Sequence, residues 1–154
     1  MAQEAIQHQY RVTAWWTSGQ TGLAKSDTAP NAMHFTAPAK FGGVEGRWTP
    51  EELLLAAVAG CFTTTLRSIT SSTQFDYTDL EVEASATLRK MESGYNFSEI
   101  VIRPTLKIAD DAQRALAHDL LKKAHRLCLV LHSFAIPIRV EPQLEVADAL
   151  ASVQ

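Results

Sequence analysis

Two cysteines, Cys61 and Cys128, are the residues whose type could carry out redox chemistry in this chain. Two thiols that meet in space can act in turn. One attacks an oxidant and becomes a sulfenic acid, and the other resolves that acid by forming a disulfide. This cycle requires the two Cα atoms to lie within about 7 Å of each other. Because Cys61 follows an apolar run, the alternative is a small buried hydrophobic residue with no chemical role.

A reactive thiol also needs a nearby cation, because apolar surroundings raise its pKa. The sequence from Thr49 predicts a helix in which Glu52 closes a capping box, and this leaves Glu51 free to orient an arginine. Glu51 could equally serve only to complement the helix dipole. On one straight helix Glu51 and Cys61 would lie about 15 Å apart, so a long arginine or a partner helix would have to connect them.

A metal site is the other chemistry that the sequence offers. His125, Cys128 and His132 are spaced by three and four residues, which would place a soft-metal ligand set on one helix face. A single helix rarely supplies three zinc ligands, and packed or solvent-facing histidines are the alternative. We therefore expect no bound metal. The sequence also lacks a glycine-rich phosphate loop, a Gly-x-Ser-x-Gly elbow and a His-Glu-x-x-His motif, so nothing supports a nucleotide-binding or hydrolytic function.

Alternation of apolar and polar residues predicts the strands. Gln7–Trp16 is expected to form a half-buried first strand, and Leu23–Phe35 could hold two short ones. Asp79–Leu88 and the segment around Ile100–Ile108 predict an antiparallel hairpin joined near Gly94. Residues Ile136–Val146 predict a final half-buried strand. Together with two helices, this pattern indicates an α+β fold.

The two predicted helices carry the two cysteines. The first begins at Thr49-Pro50 and is apolar on all sides from Leu53 to Phe62, so it has no solvent face over ten residues. A chain of this size can hardly cover such a helix alone, which makes a homodimer the simplest hypothesis. The second helix is expected to begin near Asp110 or Asp111 and to continue to Leu131, with Cys128 in its last turns.

Length and charge limit the remaining possibilities. The 154 residues are typical of one domain, so we predict a single domain over residues 1–154. A net charge of −3 provides no basic stripe for binding nucleic acid. The start lacks the features of a signal peptide, and no apolar run reaches the roughly 18 residues of a membrane span. These features predict a cytoplasmic protein that binds no membrane, in which cysteines are free thiols or a redox pair.

The stretch from Thr49 to Phe62, Thr-Pro-Glu-Glu-Leu-Leu-Leu-Ala-Ala-Val-Ala-Gly-Cys-Phe, resembles the signature of the OsmC/Ohr family of osmotically inducible and organic hydroperoxide resistance proteins. Both have a Pro-Glu helix start, then a small-residue apolar run that reaches a cysteine ten residues after the glutamate. The family's second cysteine, near the end of the following helix, matches Cys128. The resemblance implies an OsmC-like fold, with antiparallel sheets wrapped around two long central helices in an intertwined homodimer.

The resemblance also implies a thiol peroxidase without metal, haem or other cofactor. In this function Cys61 would be the peroxidatic thiolate, Cys128 the resolving thiol and Glu51 the partner of an activating arginine. The implied substrate is an organic hydroperoxide, alkyl or lipid, because aliphatic surroundings favour a hydrocarbon tail. The implied reductant is a dithiol of lipoyl type or a thioredoxin-like protein.

The sequence departs from the family pattern at two places. Family peroxidases carry the arginine in the turn region after the first strand, where Thr17–Ser26 contains only Lys25. The family's second cysteine is usually followed by proline and then serine two residues later, whereas Cys128 is followed by Leu-Val-Leu-His. Arg47 or Arg11 could replace the missing arginine. The alternative function is a dimer of this fold without peroxidase activity that binds an apolar ligand in its interface pocket.

Overall fold

A computed structural model describes residues 6–147, and the contacts divide them into two compact units at Leu53/Leu54. The first unit contains a three-stranded antiparallel sheet of β1 (Val12–Ser18), β2 (Thr21–Ser26) and β3 (Met33–Phe35). The two short strands expected between Leu23 and Phe35 are present. The first strand was expected to be half-buried from Gln7, but it begins at Val12 and all its residues are exposed within this chain.

The first helix, α1, spans Pro50–Ser72, and its start is fixed by the predicted capping box. The Thr49 amide donates to Glu52 Oε2 at 2.8 Å, and the Glu52 amide donates to Thr49 Oγ1 at 3.2 Å. Two amides that the helix cannot pair internally are thereby satisfied. The predicted helix start is confirmed.

The second unit contains a mixed four-stranded sheet. Strands β4 (Asp79–Met91) and β5 (Gly94–Ile108) form the predicted antiparallel hairpin. The expected final strand is two strands, β6 (Ile138–Val140) and β7 (Gln143–Val146), and both pair with β5 in parallel. Pro142, which has no amide proton to donate, separates them. The expectation of wholly antiparallel sheets is therefore wrong for this sheet.

The second predicted helix is interrupted. One 3-10 turn, Asp111–Gln113, leads into α2 (Arg114–Leu127), and a short helix α3 (Leu129–His132) follows. Cys128 lies between α2 and α3 with φ −68° and ψ 105°, an extended backbone that ends the helical hydrogen bonding. Our expectation that Cys128 lies within a continuous helix to Leu131 is therefore wrong, and this residue caps two helices instead.

The core of the second unit lies between α1, the sheet and α2. One stripe of α1 is buried there, formed by Val58, Phe62, Leu66 and Ile69. The stripe packs in one apolar cluster with residues of β5 and α2. Other α1 residues, such as Ala57 and Gly60, stay exposed within this chain. The chain therefore covers only part of the helix, and the homodimer that would cover the rest stays a prediction.

Helix α1 is long and apolar enough, by length and composition alone, to cross a membrane. The core helix of a soluble protein passes the same test, and the buried stripe of α1 belongs to the core. The fold is a mixed α+β arrangement of sheets and helices.

Candidate active site

The structure brings Cys61 and Cys128 together, and both are free thiols. Cys61 lies on α1 and is half-buried, whereas Cys128 at the α2/α3 break is fully buried. The two thiol groups are close enough for each to change the pKa of the other. The backbone amide of Val130, two residues after Cys128, also donates to Cys61 Sγ at 3.5 Å. The structure therefore places Cys61 beside the segment that carries Cys128, and disulfide formation between them stays a prediction.

The surroundings of the two sulfur atoms give the two thiols different pKa values. Burial by itself raises the pKa of Cys61. Hydrogen bonding outweighs this effect, so the pKa of Cys61 lies below its ordinary value. The contributing groups are, in decreasing order, the Val130 amide, the Cys128 thiol, the Thr65 side chain and the Leu129 amide. Burial raises the pKa of Cys128 to about 11, and donation of its proton to the neighbouring sulfur contributes in the same direction. When the pair loses one proton, the thiolate therefore forms on Cys61 and the remaining proton stays on Cys128.

The break at Cys128 makes the Val130 amide available. In a continuous helix this amide would donate to the carbonyl oxygen of Arg126, four residues earlier. The structure instead directs the amide to Cys61 Sγ, and the Arg126 carbonyl oxygen is hydrogen-bonded to His132 Nε2. The His132 side chain thus replaces the backbone donor that the break removes. The helix is interrupted at Cys128 although no proline follows this residue directly.

The remaining predicted site residues belong to the first unit. Glu51 lies in the first turn of α1, and its Oε2 atom is buried without a hydrogen-bond partner among the described residues. Arg11 is largely exposed and pairs with Asp27 at 2.6 Å. Arg47 is exposed in the turn before α1. A buried carboxylate oxygen without a donor is compatible with a cationic partner, and both that partner and the role of Glu51 in the site stay predictions.

The alternative metal site is not assembled. Within residues 6–147, no group of three His, Cys, Asp or Glu side chains lies close enough to hold a metal ion. The break at Cys128 disrupts the regular helix face on which His125, Cys128 and His132 would have converged. His132 instead bonds to a backbone carbonyl.

Two contributors to the site were not identified from the sequence. Thr65 lies four residues after Cys61, a spacing that places two side chains on one helix face, so the sequence contained a usable signal. The amides of Leu129 and Val130 gave no such signal. Their availability depends on the break at Cys128, in a segment whose leucines favour continuation of the helix.

Comparisons with known proteins agree with this fold. A family model described as OsmC-like protein matches residues 42–143. The uncharacterized protein YmaD of Bacillus subtilis (strain 168) is 27% identical over 146 residues, covering 93% of this chain and 96% of the relative. The crystal structure of the organic hydroperoxide resistance protein OhrB of Bacillus subtilis matches with a TM-score of 0.64 at 25% identity, over 90% of this chain and 98% of that chain. An OsmC-like protein of unknown function from Vibrio cholerae matches with a TM-score of 0.77 at 16% identity, over 88% and 99% of the two chains.

Proposed function

Because the chain belongs to the OsmC-like protein family, we propose that it is a thiol-dependent peroxidase that reduces organic hydroperoxides through a Cys61–Cys128 disulfide cycle. One observation carries the proposal: Cys61 Sγ accepts a hydrogen bond from the Val130 amide, two residues after Cys128, and the pKa values of the two free thiols change in opposite directions. The name of the Bacillus subtilis relative OhrB, an organic hydroperoxide resistance protein, supports the choice of substrate class.

The proposed cycle has three balanced steps. The Cys61 thiolate attacks the terminal oxygen of R–O–O–H, the O–O bond breaks, and Cys61 becomes a sulfenic acid while the leaving alkoxide takes a proton to give R–OH. The Cys128 thiol then attacks the Cys61 sulfur, forming a disulfide and releasing water. A dithiol reductant reduces the disulfide and becomes a disulfide itself. Neither metal nor organic cofactor takes part.

We expect an apolar hydroperoxide to be preferred over hydrogen peroxide. Leu127 and Leu129, which flank Cys128, are 55% and 71% exposed, so aliphatic surface is available beside the thiol pair. Burying a hydrocarbon tail against such surface contributes about 0.8 kcal/mol per methylene. A small peroxide without a tail gains nothing from it.

We further propose a cytoplasmic homodimer. The uncovered residues of α1, including Ala56, Ala57, Gly60 and Thr64, are small and exposed within this chain, which favours close approach of a second helix. Sedimentation equilibrium should give twice the chain mass at micromolar concentration. A monomer at that concentration would contradict the dimer without affecting the thiol chemistry.

Turnover with a dithiol tests the proposed function. Purified protein should consume cumene hydroperoxide continuously with a lipoyl-type dithiol or with a thioredoxin system, and the faster of the two identifies the reductant class. Cys61→Ser should abolish consumption, whereas Cys128→Ser should lose efficient turnover with the dithiol but still react once. If no hydroperoxide is consumed while both thiols stay reduced, the peroxidase proposal is wrong. The alternative of an apolar-ligand-binding dimer would then be tested by ligand titration.

A further inference from the structure

The outer surface of α2, the helix that leads to Cys128, is basic. Residues 120–140 contain two lysines, two arginines and two histidines but no carboxylate, although the whole chain has a net charge of −3. Three of these cations, Lys122, Lys123 and Arg126, lie on α2 and are exposed. The segment that carries Cys128 is therefore opposite in charge to the protein as a whole.

The three cations lie close together and have no anionic partner. Lys122 and Arg126 are four residues apart, and Lys123 and Arg126 are three apart, so their side chains are neighbours on the helix surface. Among residues 6–147, no ion pair joins any of the three to a carboxylate, including that of Asp119 one turn earlier. Like charges at this spacing weaken a helix, so the stability of α2 does not account for them.

The helix dipole explains only part of this charge. Cations near the last carbonyl groups of a helix are favourable, and His125 and Arg126 lie in the last turn of α2. The effect fades within one turn, and Lys122 and Lys123 precede that turn. A partner that brings negative charge to this surface would satisfy all of these cations.

Exposed apolar side chains continue the same surface towards the thiols. Leu127 lies four residues after Lys123 and is therefore its neighbour on α2, and Leu129 directly follows Cys128. Both leucines are exposed within this chain. Protein–protein interfaces combine apolar contact area with a polar rim, and complementary charge raises the rate at which two proteins meet. A protein partner can contact the cations and the leucines at once, whereas a small uncharged dithiol cannot.

The same surface does not suit a membrane. A helix that lies in a membrane interface must present a free apolar face to the lipid. The apolar face of α2 is buried in the core of the second unit and is formed by Ala117, Leu120, Leu121 and Ala124. The basic surface of α2 therefore fits an acidic protein better than an anionic membrane.

We propose that this surface, formed by Lys122, Lys123, Arg126, Leu127 and Leu129, docks an acidic protein that carries the dithiol reductant. The three cations would meet carboxylates of the partner, and the two leucines would provide apolar contact beside the thiols. This role rests on the proposed disulfide cycle and specifies the chemical class of its reductant.

The docked partner would reduce the disulfide in two exchange steps. A thiolate of the partner attacks the sulfur of Cys61, which is less buried than Cys128, and the Cys61–Cys128 bond breaks. Cys128 leaves and takes up a proton. The second thiol of the partner then attacks the mixed disulfide and releases Cys61, so the partner becomes a disulfide and both protein thiols are reduced.

Two pairs of adjacent cations supply matched variants. Lys122→Glu/Lys123→Glu reverses the charge on α2, and Arg89→Glu/Lys90→Glu reverses a second exposed pair, on β4. Both double variants make the net charge more negative by the same amount, so general repulsion of an acidic partner is equal in the two. Circular dichroism checks folding. If the α2 variant does not fold, the corresponding Lys→Gln pair replaces it, with Arg89→Gln/Lys90→Gln as its control.

The assay starts from the disulfide form of the full-length protein, prepared with diamide so that no hydroperoxide is needed. Reduction is stopped with acid and measured by alkylation and intact mass. The reductants are an acidic thioredoxin, a reduced lipoyl domain of acidic net charge, and dithiothreitol, a small uncharged dithiol. At low salt, at least one acidic protein should reduce the parent faster than dithiothreitol does at the same concentration.

With that acidic protein, we expect the α2 variant to be reduced about tenfold more slowly than the parent at low salt. The β4 variant should stay within about twofold of the parent, and dithiothreitol should reduce all three alike. Salt at about 0.5 M should remove most of the difference, because it screens exposed charges.

Each contrary result has a distinct meaning. The docking surface is wrong if both double variants are reduced equally fast, or if neither acidic protein is faster than dithiothreitol, while the disulfide cycle stands. If diamide forms no Cys61–Cys128 disulfide, the cycle is wrong and the docking role falls with it. If the parent sediments with phosphatidylglycerol vesicles and the α2 variant does not, the surface binds a membrane and the assignment to an acidic protein is wrong.

Discussion

The difference in acidity between the two thiols predicts selective modification of Cys61. Thiolates, not thiols, react with alkylating agents. The hydrogen-bond donors around Cys61 bring its pKa below the ordinary value, whereas burial raises the pKa of Cys128 to about 11. Limiting iodoacetamide at neutral pH should therefore label Cys61 and leave Cys128 almost untouched.

The size of the selectivity follows from the same values. With the pKa of Cys128 at about 11 and that of Cys61 below that of an unperturbed thiol, the gap is at least about 2, or about 100-fold in thiolate at neutral pH. The less acidic thiolate is intrinsically more nucleophilic, with a Brønsted coefficient of about 0.4–0.5, which cancels about tenfold of that ratio. Cys61 should therefore react at least about tenfold faster than Cys128 before access is considered.

The assay must separate ionisation from access, because Cys128 is fully buried and Cys61 is not. Burial lowers the rate of alkylation at every pH, whereas the pKa sets the pH at which that rate stops rising. Rates for each cysteine are therefore followed from pH 5 to pH 11 by peptide mapping of reduced protein. Cys61 should reach its plateau below the pH expected for a free thiol, while the rate for Cys128 should still be rising at pH 10. The reasoning is refuted if Cys61 titrates at or above the midpoint of a free thiol, or if Cys128 is labelled first.

Three further substitutions test the elements that support the site. Phe62→Ala removes a fully buried ring from the core and should lower the free energy of unfolding by about 3–5 kcal/mol, measured by urea denaturation; a loss under 1 kcal/mol would contradict the packing. His132→Ala removes the side chain bonded to the Arg126 carbonyl and should raise the midpoint of Cys61 alkylation, whereas His132→Gln, which keeps an N–H donor, should stay nearer the parent profile. Thr49→Ala removes one half of the capping box and should cost about 1 kcal/mol in the same denaturation assay, with no change in that alkylation profile.

Local signals predicted some elements well because the physics that forms them is local. The start of α1 depends on a capping box within four residues, and the observed bonds between Thr49 and Glu52 confirm it. The β4–β5 hairpin follows from strict alternation on both sides of a short turn at Gly94, where φ is 119°. Both elements could be read from neighbouring residues alone.

Features that depend on contacts between residues distant in the sequence were not predicted or were predicted with the wrong bounds. Periodicity continued through Cys128, yet the chain breaks there, where the Val130 amide bonds to Cys61 Sγ from another helix. The final segment alternates like one strand, but alternation does not specify which neighbour it joins or in which direction. It divides at Pro142 and pairs with β5 in parallel. The sequence therefore predicts which two thiols form the candidate site, but not the donors around them.

The most direct test of the proposed cycle is to treat reduced protein with one equivalent of cumene hydroperoxide and to measure intact mass and free thiols. The parent chain should lose both thiols and about 2 Da, which marks an intramolecular disulfide. Cys128→Ser should instead gain about 16 Da at Cys61, the mass of a trapped sulfenic acid. If both thiols of the parent survive with unchanged mass, the disulfide cycle between Cys61 and Cys128 does not operate.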